Sequence, residues 1–99
     1  MIHVLAIITA KPGQRGALLQ AFKAIVPTVH AEVGCIEYGP VIDVDDADPA
    51  FGPDTFVVVE KWESLAALKA HSVAPHMAAY GQRTKDLVAK RAVHVLTDA

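Results

Sequence analysis

Apolar residues fall on both alternating sets of positions at the start of the chain. In I-H-V-L-A-I-I-T-A, residues 2–10, Ile2, Val4, Ala6 and Ile8 oppose His3, Leu5, Ile7 and Thr9. That pattern predicts a strand buried on two sides. Lys11-Pro12-Gly13 stops it, and Leu18, Phe22, Ile25, Val26 and Val29 then recur at helical spacing from Gln14 onward. Pro27 removes a backbone donor and crowds the preceding turn, so it is expected to kink or divide this helix. Glu32-Val33-Gly34 closes it, with Gly34 as a left-handed terminator.

A second strand is predicted over residues 35–44, C-I-E-Y-G-P-V-I-D-V, where Gly39-Pro40 requires an edge position or a bulge. Tyr38 is expected to share a face with Ile36 and Ile42. Residues 43–54, D-V-D-D-A-D-P-A-F-G-P-D, faintly resemble a calcium loop, but no bidentate Glu ends them and the glycine is misplaced. They read as a solvated connection.

The third strand is T-F-V-V-V-E-K-W, residues 55–62. Ser64 is the predicted N-cap of a short helix from Leu65 to about His71. Pro75 interrupts the pattern, and a longer helix is expected from there to about Lys90, with Met77, Tyr80, Thr84, Leu87 and Val88 inward. A-V-H-V-L-T, residues 92–97, is the last strand.

The order β-α-β-β-α-β makes an α+β, ferredoxin-like sandwich of one domain, residues 1–99. Strands one and three lie centrally, with both helices on one face. Yet Val57 and Val59 oppose Phe56 and Val58, so the uncovered face is also apolar. Such a patch is too large for a soluble monomer, and a second copy of the sheet is its simplest cover. A homodimer, sheet face to sheet face, is therefore expected.

Composition narrows the function. A formal charge of −2 gives no basic stripe for nucleic acid. No apolar run approaches the roughly 20 residues of a membrane span, and the N-terminus lacks the features of a signal peptide. A cytoplasmic protein is expected. Cys35, the sole cysteine, allows no internal disulfide or thiolate metal cage, and reads as a small hydrophobe. No Gly-rich fingerprint for a flavin or nicotinamide follows a strand, so neither cofactor nor metal is expected.

Chemistry concentrates between Glu60 and Met77, which hold the single tryptophan and two of five histidines. Glu60 and Trp62 are two apart on one strand and share a face. Glu60 reads as an ion pair or dimer contact, or, if buried, as an acid or base of raised pKa. His71 closes the helix after Trp62. His76 precedes Tyr80 by one helical turn and is a candidate to pair with it. His3 and His94 lie on neighbouring strands but are too few for a metal site. His30 near the end of the first helix is a favourable dipole contact.

K-P-G at 11–13, E-V-G-C-I-E-Y at 32–38, F-V-V-V-E-K-W at 56–62, A-L-K-A-H at 67–71 and P-H-M at 75–77 together resemble the antibiotic biosynthesis monooxygenase domain family. The resemblance implies a dimeric α+β barrel related to quinol monooxygenases. It implies that Trp62 lines a cavity between sheet and helices, with a cavity histidine near His71. In haem-degrading relatives a nearby histidine ligates iron, at a Trp–His spacing slightly longer than here. Relatives of both kinds use a cavity asparagine, whereas this chain contains none and has Val58 four residues before Trp62. That weighs against a haem-degrading role and against a copy of the polyketide-oxidising site.

The expected function is a cofactor-independent monooxygenase acting on a small aromatic quinol with dioxygen. His71 or His76 would take the phenolic proton and Tyr80 would donate to oxygen. Trp62 and Phe56 would hold the ring, with Glu60 and Tyr38 lining the site. The alternatives are a dimeric barrel that binds an apolar small molecule without turnover, and haem binding through His71.

Overall fold

The computed structural model describes residues 1–99. Its elements are β1 (Ile2–Ala10), α1 (Arg15–His30), β2 (Cys35–Val41), β3 (Thr55–Trp62), α2 (Leu65–Ser72), α3 (Pro75–Thr84) and β4 (Val88–Thr97). The four strands form one antiparallel sheet in the order β2-β3-β1-β4. The two doubly apolar strands are thus central, as their pattern requires, and the Gly39-Pro40 strand lies on an edge.

The helices cover one face. Leu18, Phe22, Ile25 and Val29 of α1 are buried against Val4, Ala6, Phe56, Val58 and Trp62 of the sheet. Burying each of the four α1 side chains contributes about 1.5–3 kcal/mol. The other face carries Leu5, Ile7, Val57, Val59 and Leu96, which the helices do not reach. Leu5 is 38% exposed and Leu96 45%. Ile7 and Val59 are half-buried and Val57 is buried, so this helix-free apolar face is open mainly at Leu5 and Leu96.

Four local expectations are corrected. Pro27 does not divide α1, which runs through it to His30. It sits in the last turn, where it removes a single backbone donor, and its own carbonyl accepts from Ala31. The last helix stops at Thr84 instead of about Lys90, and residues 85–87 turn into a strand that begins at Val88. The second strand ends at Val41. Tyr38 is buried while Ile36 and Ile42 are exposed: the register shift between Cys35 and Glu37 breaks the alternation at Ile36, and Ile42 lies beyond the end of the strand.

The 43–54 segment is a connection, held by an acid that acts as a local acceptor. Asp43 takes the backbone N–H groups of Phe51 at 3.1 Å and Gly52 at 2.9 Å. These N–H groups hold its carboxyl below the usual range.

Candidate functional site

The site begins with a glycine. Gly34 has φ +84°, a left-handed conformation, and a Cβ placed on it would lie 2.6 Å from Cβ of Ala67. Its carbonyl accepts the N–H of Glu63 at 2.8 Å. The turn after α1 is thereby seated against the start of α2. Ser64 starts that helix as predicted, its hydroxyl accepting from the N–H of Ala67 at 3.1 Å. One turn beyond Ala67, on the same side of α2, stands His71.

The seating brings Glu32 to both helical histidines. Its Oε2 lies 2.9 Å from Nδ1 of His71 and 2.8 Å from Nε2 of His76. A carboxylate only accepts, so both ring nitrogens carry their protons toward it. His76 therefore pairs with Glu32 and not with Tyr80. His71 is the buried member at 6% exposure, and the His76 side chain is 30% exposed. Ring contacts hold His71 from two sides: Trp62 at 4.8 Å between centroids and Tyr38 at 5.4 Å.

A cavity of about 280 Å³ opens between the sheet and the helices. Val4, Ala6, Ile8 and Val58 form its floor, Phe22, Leu68 and Met77 its apolar walls, and Tyr38, Glu60, His71 and Tyr80 its polar points. Arg91 and Val93 of β4 line its other end. Both are exposed, as are Val73 and Gly81 on the helical side of the lining.

Polar side chains of four lining residues reach this space. No fully enclosed side-chain nitrogen or oxygen in the protein lacks a hydrogen bond. Nε2 of His71, the Tyr38 hydroxyl and the second Glu60 oxygen make no such bond, so each retains accessible surface, which the cavity provides. In its neutral form, with the proton on Nδ1 beside Glu32, His71 carries its lone pair on Nε2, the ring nitrogen that has no partner.

Glu60 is buried, and its Oε1 accepts from Nε1 of Trp62 at 2.9 Å. Burial raises its pKa, an effect that the Trp62 donor and neighbouring His71 oppose and the charge of Glu32 reinforces. Burial is also the main reason that the Tyr38 and Tyr80 hydroxyls ionise less readily than usual, with the charge of Glu60 adding to it at Tyr38. Both tyrosines are therefore neutral donors. Cys35 is partly buried and its thiol is pushed up by the same cause, which disfavours the nucleophilic thiolate.

Of the residues singled out in the sequence, Glu60, His71, Tyr38 and Tyr80 meet at the cavity. Trp62 and Phe56 stand outside its lining, fully packed behind the wall, where Trp62 supports His71 and donates to Glu60. His76 also lies outside and reaches the cavity only through Glu32 and His71. His3 binds Asp98 at 2.7 Å and does not meet His94. His30 donates to the carbonyl of Tyr38 at 3.2 Å, fastening the end of α1 to β2.

Glu32 was not among the candidates. Its partners are 39 and 44 residues away, and no periodicity reports such a contact. The one available signal was the E-V-G-C-I-E-Y stretch, which begins with it.

The family model described as antibiotic biosynthesis monooxygenase matches residues 1–83. "Probable quinol monooxygenase YgiN" of Escherichia coli (strain K12) is 41% identical over 100 residues, which cover 97% of this chain and 96% of that protein. Among solved structures, PA3566 from Pseudomonas aeruginosa superposes with a TM-score of 0.83 at 28% identity, covering 99% of this chain and 93% of that one. Rv0793 from Mycobacterium tuberculosis gives 0.82 at 27% identity, covering 99% and 94%. The chain belongs to the antibiotic biosynthesis monooxygenase family.

Proposed function

We propose that the protein is a cofactor-independent monooxygenase for a one- or two-ring aromatic quinol, with His71 as its general base. The observation that carries this reading is the pair formed by Glu32 and Nδ1 of His71, which leaves Nε2 open to an apolar cavity. A carboxylate behind an imidazole fixes its tautomer and stabilises the imidazolium that forms when it takes a proton.

In this reading the quinol ring lies on Val4, Ala6 and Val58, and its phenolic proton passes to Nε2 of His71. The electron-rich quinolate then reduces dioxygen directly. The overall balance is quinol plus dioxygen to hydroxyquinone plus water. One oxygen atom enters the ring, the other leaves as water, and the quinol supplies every electron. Tyr38 and Tyr80, kept neutral by burial, donate to the developing oxyanion, and the apolar walls make those donors stronger than they would be in water.

The name of the E. coli relative supports a quinol as the substrate class. Isotopically labelled dioxygen tests the reaction type: one labelled oxygen in the organic product supports a monooxygenase, and label found only in reduced oxygen species makes the protein an oxidase.

The same reading includes a homodimer in which the open faces of two sheets pack together. Leu5, Ile7, Val59 and Leu96 would form its centre, since no helix of the same chain lies over this apolar surface.

A further inference from the structure

The Glu32–His71–His76 cluster has more chemistry than a base requires. Two imidazoles and one carboxylate converge from three segments, the turn after α1, α2 and α3, and their donor atoms all lie within 4.8 Å of one another. The charged partners of Glu32 are these two histidines, with no lysine or arginine among them. With both rings neutral the cluster carries one uncompensated negative charge in a largely buried place.

The geometry points to a binding site for a divalent transition-metal ion of the Zn²⁺ or Fe²⁺ class, held by Oε2 of Glu32, Nδ1 of His71 and Nε2 of His76. Two imidazoles and a carboxylate are a donor set suited to such ions, with room left for water. Ions of this kind sit about 2.1 Å from nitrogen and oxygen ligands, so adjacent donors lie roughly 3.0–3.4 Å apart. The two Glu–His separations, 2.9 and 2.8 Å, are already close to that spacing. The remaining separation is closed by His76, whose partly exposed ring can turn and also gives the ion access from solvent. Trp62 and Tyr38 pack against the His71 ring and hold its orientation.

A consequence follows that rests on the oxygenase reading, whereas the binding does not. A neutral imidazole that gives Nδ1 to a metal carries its proton on Nε2. The cavity nitrogen then becomes a donor and ceases to be a base, so the bound ion inhibits quinol oxidation.

The test is calorimetric titration of chelator-treated, full-length protein with Zn²⁺ alone, repeated with Co²⁺ to read its visible bands. One ion per chain is expected, with affinity at least about tenfold weaker in both Glu32→Gln and His76→Gln. His3→Gln and His94→Gln should leave it unchanged. His76 is partly exposed, so its variant should fold, and circular dichroism verifies this. Absence of binding, binding unaltered in both cluster variants, or binding lost in His3→Gln overturns the site. In a separate arm Zn²⁺ should suppress quinol-dependent oxygen uptake. Binding without suppression refutes the inhibitory consequence and leaves the site standing. If no quinol is turned over, the oxygenase reading fails while the titration still decides the metal site.

Discussion

Oε2 of Glu32 lies 2.9 Å from Nδ1 of His71, across 39 residues of sequence, and this contact sets the direction in which the imidazole presents its lone pair. Replacing Glu32 by Gln offers an amide that can bond either tautomer and carries no charge to steady the imidazolium. We expect Glu32→Gln to lower kcat for a quinol by at least about tenfold, less than the roughly 10²–10⁴-fold of general-base catalysis because His71 itself remains. Steady-state oxygen uptake measures it. An unchanged kcat would remove Glu32 from the mechanism.

Glu60 leads to a pH prediction. Its folded pKa is raised by burial, so between its unfolded and folded pKa the native state holds more protons than the unfolded chain. Stability then falls as pH rises through that window and levels off above it. Glu60→Gln keeps an oxygen for the Trp62 N–H and has no charge to bury. Its Tm should exceed that of the native protein by a few degrees at pH 8, with the gap closing toward pH 4. Thermal melts at the two pH values suffice, and a gap that widens on acidification contradicts the account.

Gly34 tests how the site is assembled. Gly34→Ala places a methyl group 2.6 Å from Cβ of Ala67 on a left-handed backbone, a cost of about 2–4 kcal/mol from strain and overpacking together. Adding Ala67→Gly should recover the steric part and leave the backbone part. Urea unfolding of the single and double variants separates the two, and full stability of Gly34→Ala would show that the turn is not seated as described.

The open sheet face predicts a mass. The chain is 10.5 kDa, and sedimentation equilibrium should return twice that. Leu5→Asp, which places a charge on the centre of the face, should shift the population to single chains that retain their helical circular dichroism. A native protein that sediments as one chain at micromolar concentration rules out the dimer.

Strand content and sheet order were legible because they depend on local alternation. β1 and β3 are apolar on both sides and had to be central, whereas Gly39-Pro40 called for an edge or a bulge and its strand lies on an edge. Where alternation breaks, legibility ends. The register shift between Cys35 and Glu37 separated Tyr38 from Ile36, with no glycine at the shift to announce it. The end of α3 was overrun because Lys85-Asp86 contains no glycine or proline, and Leu87 and Val88 continue an apolar helical spacing while belonging to a turn and a strand. The candidate site divided along the same line. His71 and Glu60 could be picked out by type and position, but the contact that gives His71 a role comes from Glu32, through tertiary structure alone. Trp62 was identified as important for a different reason from the one observed: it supports the site from behind the cavity wall.

The most direct test of the central claim is oxygen uptake by chelator-treated protein over a panel of one- and two-ring quinols, with His71→Gln measured beside it. The account predicts uptake above the autoxidation blank for at least one quinol, lowered by about 10²–10⁴-fold in a variant that remains folded. Uptake equal in the variant would show that His71 is not the base. Uptake at the blank across the panel, with tight binding of the same ring compounds, would make the protein a binding barrel.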